Sequence, residues 1–486
     1  MWLPGTRVSA RHALRLPCTP PWLARPRACG HARNTASGAA HGSQQSTPHL
    51  DGDALVLGIE TSCDDTAAAV VSASGTILGQ YTSSQNQLHA PYGGIVPRLA
   101  AGAHAACVHD VVHQALRRAG LTSAAQLSAV AVTLGPGLAM CLRVGVSKAR
   151  AVAAEHKLPL VHVHHMEAHA LVARLTAGGL SGTLQFPFLA LLVSGGHNMC
   201  VLATGVGNYT VLGATLDDAL GEAFDKTARL LGLDVGGGGG PALEALAARG
   251  DPKRFPFAAP LRSAGSDHRD TCEFSFAGLK TAARITIARE LGLPQQSSVV
   301  GGDTAADVAA FAEWSEADVQ RRAAIRADIA ASFQATAVAH VAERTRGALA
   351  WAQRLEPRCV QVVVAGGVAS NQALRAALLE VCTAGGADLV CPPPQLCTDN
   401  GVMVAWAGVE RLALGLVDAR DIAGVDAAGV PWADVSTAFV PDIKPRWPLG
   451  DRHPDTLGAL RNTRSLRKVR LEAPLTGVAT SDASAP

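Results

Sequence analysis

The stretch His162–Ala170 reads HVHHMEAHA and holds four of the chain's 17 histidines. His165 and His169 are four residues apart, so on a helix both imidazoles share one face, about 6 Å apart at Cβ. That spacing suits a shared metal ion. The order is H-x-E-x-H rather than H-E-x-x-H, which turns Glu167 away from the histidine face. The zincin arrangement, a general base beside the metal, is therefore not met. The competing role for the pair is structural, as helix caps or as hydrogen-bonded histidines inside a cleft. A third ligand must come from elsewhere in the chain. CTDNGVMVAW (397–406) offers Asp399, after the stiff Pro392-Pro393-Pro394 run and at the head of an apolar helix. There Thr398 or Asp399 could equally serve only as the helix N-cap. Two histidines and one carboxylate leave coordination positions open, as a Lewis-acid site requires.

Three strands run into glycine turns: VSGGH (193–197), GGGGGP (236–241) and AGGVAS (365–370). Such turns let backbone N–H groups approach an anion, and a following helix N-terminus adds its dipole. Ordinary connections between strands and helices also use glycine, so each turn alone says little. Three together, without a Walker-A lysine motif or GxGxxG, imply a nucleotide held between two lobes. Asp225 in GEAFDK and Asn371 after AGGVAS are candidates for ribose or base hydrogen bonds. Glu222 and Lys226, also four apart, are explained equally well as a solvated helical ion pair.

The elements that must position these groups follow from periodicity. LVLGIETSCDDTAAAVVSASGTILGQYTSS (55–84) reads as three strands joined by polar turns. A helix follows over 99–119, with Val108, Val111, Val112, Ala115 and Leu116 at helical spacing and Gly120 as the stop. A strand over 128–137 ends in Gly-Pro-Gly. A helix then covers 144–156 and a strand 158–165. The same grammar repeats with strands at 187–197, 199–204 and 209–213, a helix over 217–232 and a strand entering a glycine turn over 358–371. Two copies of this pattern predict two similar α/β lobes with a cleft between them.

Composition bounds the rest. The 486 residues are 48% hydrophobic and 17% charged, a globular balance that can bury a large core. A net charge of +2 makes no global demand for a polyanionic partner. No apolar run is long enough to span a bilayer, so no membrane association is expected. The eleven cysteines are unpatterned and read as reduced core thiols. Residues 1–50 hold Arg7, Arg11, Arg15, Arg25, Arg27 and Arg33 and no acid, the composition of an organelle transit peptide. Mitochondrion is the first destination and plastid the second. Residues 295–322 are small, polar and acidic and read as an inserted loop. The tail 449–486 loses apolar periodicity and carries Arg461, Arg464, Arg467, Lys468 and Arg470.

Taken in order, GIETSCDDT (58–66), LGPGL (134–138), HHMEAH (164–169), LLVSGGH (191–197), DDALGEAFDKTARLLGLD (217–234), FSFAGLKT (274–281), DIAASFQ (328–334), AGGVASN (365–371) and CTDNG (397–401) closely resemble the TsaD family of tRNA adenosine threonylcarbamoyltransferases. The likeness runs from about 54 to 448. It implies a two-lobed α/β actin/Hsp70-like (ASKHA) fold with the active-site cleft between lobes. It implies transfer of threonylcarbamoyl from L-threonylcarbamoyl-adenylate to N6 of the adenosine 3′ of the anticodon (position 37), releasing AMP, in tRNAs reading codons that start with A. It implies one divalent metal cation, iron or zinc, on His165, His169 and Asp399. It places substrate contacts on Leu192, Val193, Ser194, Gly195, Gly196, Asp225, Gly240 and Asn371. Organelle forms of the family imply a homodimer. Arg98 and Gly102 in VPRLAAGAH (96–104) stand where bacterial members usually carry an acid and an arginine. Two other functions belong beside this one: an O-sialoglycoprotein endopeptidase-type metalloprotease, which the absent H-E-x-x-H opposes, and a non-catalytic nucleotide-binding scaffold subunit, which intact His165, His169, Asp399, Asp225 and Asn371 oppose.

Overall fold

The computed structural model describes residues 50–457, apart from 93, 234, 236–237, 264–265, 292–315 and 418–442. The expected transit peptide, the Arg461–Arg470 cluster and most of the expected insertion lie outside the described residues.

The first half opens with β1 (Leu55–Glu60), β2 (Asp65–Ser72) and β3 (Ile77–Ser84). Helix α1 (Pro97–Arg118), β4 (Ala129–Gly135), α2 (Ala139–His156) and β5 (Leu160–His164) follow. These strands form one sheet in the order β3-β2-β1-β4-β5. β1 is antiparallel to β2 and parallel to β4, and β4 is parallel to β5. The near-continuous Val, Ile, Leu and Ala runs of β1, β2 and β4 suit strands covered on both faces, whereas β3 at the edge is largely exposed.

Helix α3 (His165–Thr176) starts directly from β5 and leads to the second half. There β6 (Phe188–Val193), β7 (Asn198–Gly205) and β8 (Asn208–Ala214) are followed by helices α4 (Leu220–Leu230), α5 (Gly239–Ala247), α6 (Ala277–Leu291) and the long α7 (Glu316–Leu355). β9 (Gln361–Ala365), α8 (Gln372–Ala384) and β10 (Asp388–Val390) complete this half. Its sheet runs β10-β9-β6-β7-β8, with a short β11 (Asp451–Arg452) beside β8. Read outward from β6, with β7 and β8 antiparallel and β9 and β10 parallel, it repeats the first sheet's order. This duplicated order is the two-lobed actin/Hsp70-like architecture expected.

Helix α9 (Gly401–Ala413) follows β10 in sequence yet packs on the first sheet. Small residues permit the close approach. A Cβ on Gly58 would stand 2.2 Å from the backbone nitrogen of Ala405, and one on Gly408 would stand 2.5 Å from Cβ of Ala131. The return of α9 to the first half carries Asp399 back toward α3.

Several boundaries differ from expectation; α2, expected from 144, begins at Ala139. Helix α4 begins at Leu220 rather than 217, because the Asp217 carboxylate accepts the N–H groups of Phe276 and Ala277 and holds its own chain out of the helix. Residues 316–322 of the expected loop are the opening turns of α7. The ordered core also continues past 448: Leu449 is buried and Asp451–Arg452 pairs with β8.

Candidate functional site

The strand–helix junction after β5 sets the histidines. His164 ends the strand and caps α3, its Nδ1 accepting from the N–H of Met166 at 3.1 Å. Its Nε2–H then donates to the carbonyl of Trp447 at 2.9 Å. Both ring nitrogens are committed, and burial pushes this imidazole down to about 3, so it stays neutral. His164 is thus structural. One and five residues on, His165 and His169 share the next face of α3, their rings edge-on at 4.8 Å.

Asp399 meets them. Its Oδ1 lies 3.0 Å from Nε2 of His169 and 3.5 Å from Nε2 of His165. The cap of α9 is not Asp399 but Asn400, whose Oδ1 accepts from the N–H of Met403 at 2.8 Å. That removes the capping alternative for Asp399 and leaves its carboxylate to the histidines. One donor atom from each residue lies within 4.8 Å of the others. With metal–nitrogen distances of about 2.1 Å, donors on one ion stand about 3 to 3.5 Å apart; the two carboxylate–imidazole distances of 3.0 and 3.5 Å match that, and the donor set as a whole is compatible with a shared divalent cation. His169 Nδ1 is buried and has no hydrogen-bond partner among the described residues.

Sequence reasoning assigned no role to Glu60 and Ser62. The Glu60 carboxylate, at the end of β1, sits 3.2 Å from Nδ1 of His165, as does the Ser62 hydroxyl. Glu60 also accepts from the Ser62 N–H and the Thr133 hydroxyl. A carboxylate behind a ligating imidazole fixes its tautomer and orientation, here leaving Nε2 to face Asp399. Burial alone would lower the pKa of His165, yet Asp399 and Glu60 together raise it to about 9. An acid closing an otherwise apolar strand was the available signal. Glu167 lies off this face: Gly207 N–H donates to Oε1 at 2.7 Å and Arg411 to Oε2 at 2.9 Å.

In the second half, the residues singled out after β6 can act through backbone. Leu192 and Val193 are fully buried, so only their main chain can reach a ligand. Ser194 shapes the turn, donating its N–H to the His197 carbonyl at 2.8 Å and accepting the His197 N–H on its hydroxyl at 3.1 Å. Gly195 and Gly196 are exposed, and a Cβ on either would meet nothing within 4 Å. His197 is pushed down to about 4 by burial and by the His165 and His169 imidazoles.

Gly195 and Asp225 line a cleft of about 390 Å³ together with Asp64, His89, Arg229 and Gly239 among others. Asp225 Oδ1 accepts the N–H groups of Gly239 and Gly240 at 2.8 and 3.2 Å. A ligand is left with Oδ2, and burial raises the acid's pKa. Gly239 is the tighter glycine of this pair, since its Cβ would stand 2.6 Å from Cα of Asp225. Asn371 caps α8 through Leu374 N–H at 2.9 Å and donates to Gln334 at 3.0 Å. It is not among the described residues that line the cleft, nor are His165, His169 and Asp399. Glu222 and Lys226 form the expected helical ion pair at 2.7 Å.

The repeated strand order, with a His-His-Asp group formed by α3 and the loop before α9, defines a two-lobed protein of the actin/Hsp70-like class. Residues 76–406 match the family described as TsaD, tRNA N6-adenosine threonylcarbamoyltransferase, and the chain belongs to that family. A probable mitochondrial tRNA N6-adenosine threonylcarbamoyltransferase of Arabidopsis thaliana is 49% identical over 436 residues, 90% of this chain and 82% of that protein. A tRNA N6-adenosine threonylcarbamoyltransferase of Novosphingobium aromaticivorans is 43% identical over 84% of this chain and 99% of its own. Among solved structures, full-length HypF in its phosphate- and nucleotide-bound form overlaps 76% of this chain and 48% of its own, at a TM-score of 0.42 and 12% identity.

Proposed function

We propose that the chain forms N6-threonylcarbamoyladenosine in tRNA by taking the acyl group from L-threonylcarbamoyl-adenylate, with His165, His169 and Asp399 holding one divalent cation, iron or zinc. The observation that carries this reading is the convergence of two imidazoles and a carboxylate from α3 and from the loop before α9. A cation bound there supplies Lewis-acid polarisation of an acyl carbonyl and a template for the adjoining phosphate.

The chain's own groups do the rest. Glu60 and Ser62 orient His165. In the Ser194-Gly195-Gly196 turn the Ser194 N–H is held by His197, so the Gly195 and Gly196 N–H groups are those offered to the anionic end of the donor. Oδ2 of Asp225, and Asn371 through its remaining amide hydrogen, are the proposed nucleoside contacts. Adenine N6 is a weak nucleophile, so positioning supplies much of the rate. Glu167 is already engaged through both oxygens, which leaves no free carboxylate in the metal helix to act as the base of a peptidase. The proposed location is the mitochondrion, and the proposed assembly is a homodimer.

The test is to incubate purified protein with L-threonylcarbamoyl-adenylate and unmodified tRNA and to analyse the nucleosides by mass spectrometry. The modified adenosine and stoichiometric AMP are expected. Cleavage of a sialoglycoprotein with tRNA left unmodified would overturn the reading.

A further inference from the structure

Helix α3, which bears both histidines, and helix α9, which follows Asp399, are joined by two ion pairs of opposite polarity, each on a buried carboxylate. On α3, the acid Glu167 takes Arg411 of α9 at 2.9 Å. One α-helical stretch later on α3, the base Arg174 takes both oxygens of Glu410 of α9 at 2.8 and 3.0 Å. The two carboxylates are 1% and 2% exposed. Each has a further donor: Gly207 N–H, in the turn between β7 and β8, for Glu167 at 2.7 Å, and the Trp406 indole for Glu410 at 2.8 Å. Arg174 also donates to the carbonyl of Leu184 at 2.7 Å and lies over the Phe186 ring.

Buried ion pairs are poor sources of stability, because desolvating two charges offsets most of their attraction. Burial pushes the Glu410 carboxyl up to about 7 despite Arg174, so apolar side chains would serve stability as well. What such a pair does supply is placement. Polarity is reversed between the two pairs. Turning or sliding α3 against α9 therefore strands a charge or brings like charges together. Glu167 lies between His165 and His169, so the rotation it resists is the one that would carry the imidazoles away from Asp399.

We propose that Glu167–Arg411 and Arg174–Glu410 are positioning pairs for the metal centre. They set the rotation and register of α3 against α9, and through Gly207 they tie that setting to the β7–β8 hairpin of the second half. This inference rests on the metal reading of His165, His169 and Asp399.

The experiment titrates zinc in competition with a chromophoric chelator into wild type, Glu167→Gln, Arg411→Gln, Arg411→Lys and His169→Ala, and follows thermal unfolding of the metal-free proteins alongside. Glu167→Gln and Arg411→Gln should bind zinc about 10-fold more weakly, the low end of the range seen when direct partners of metal ligands are removed, because neither residue touches a ligand itself. Arg411→Lys, which keeps the charge, should recover most of the affinity. The Arg411 side chain is 20% exposed, so its variants can solvate the new side chain and fold even where Glu167→Gln does not. Unchanged zinc affinity in folded Arg411→Gln would overturn the inference, whatever the loss in melting temperature. A wild-type protein that binds zinc no better than His169→Ala would instead overturn the metal reading on which the inference stands.

Discussion

In the first half of the core, the segments at the ends of β1 and β5 deliver side chains: Glu60, Ser62 and His165 converge on one point. In the second half, the segments after β6 and β9 deliver glycines. Gly195 and Gly196 stand open, and Gly366, at φ +98°, lies so close to β6 that a Cβ would be 2.3 Å from the Val193 carbonyl oxygen. The strand order is the same in both sheets. Repeated topology thus presents equivalent strand ends, and local sequence decides whether they work through imidazole and carboxylate or through main-chain N–H. The first set suits a cation and the second an anion, as the proposed donor with a carbonyl and a phosphate requires.

If the first half works through side chains, removing one should be costly without disturbing the fold. Asp399→Ala, which deletes the group both histidines face, should bring tRNA modification to background while the melting temperature of the metal-free protein stays near wild type. Modification at more than a tenth of the wild-type rate would break the comparison. Glu60→Gln should have a smaller effect. It keeps a hydrogen-bonding oxygen and loses the charge behind His165, so metal affinity measured against a chelator should fall about 10- to 100-fold.

The second half should respond to occupied space instead. A methyl at Gly195 has room and no positive φ to oppose it, so Gly195→Ala should fold normally and raise KM for the adenylate donor several-fold with little change in kcat. At Gly221 the same methyl would meet the Ser194 carbonyl oxygen at 2.8 Å, so Gly221→Ala should also lower the melting temperature. Equal KM values for Gly195→Ala and wild type would remove the turn from the substrate path.

The smallest expected effect is on pH dependence. Burial, opposed by Arg174 and supported by neighbouring Glu167, raises Glu410 to about 7 from its ordinary value of 4.5. The folded protein therefore holds this proton more tightly than the unfolded chain does. Its contribution to stability is complete below about pH 4.5 and is lost as pH rises to about 7. Glu410→Gln should flatten the fall in chemical-denaturation stability across that window. An unchanged slope would remove Glu410 as its source.

Much of this was legible in the sequence, because period-2 and period-3.6 patterns carry strands and helices directly. The repeated βββ-then-βα grammar anticipated both sheets, and the shared helix face of His165 and His169 was legible from spacing alone. Asp399 and its cap alternative could be separated only in three dimensions, where Asn400 takes the cap. Glu60 was hidden because its partner is 105 residues away. The burial of Leu192 and Val193, and the commitment of Asn371 to capping α8, were likewise invisible, since residue type does not reveal which atoms neighbours have already used. The ties from Glu167 to Arg411 and from Arg174 to Glu410 depend on α9 crossing back to the first half, which no local pattern encodes.

The central claim, that the His165–His169–Asp399 centre serves acyl transfer to tRNA, is tested most directly by measuring metal content and tRNA modification on the same preparations. Wild-type protein stripped with a chelator should lose modification and regain it on addition of about one equivalent of iron or zinc per chain, while His169→Ala should neither bind the metal nor regain activity. Metal-free His169→Ala protein that modifies tRNA at the wild-type rate would contradict the account.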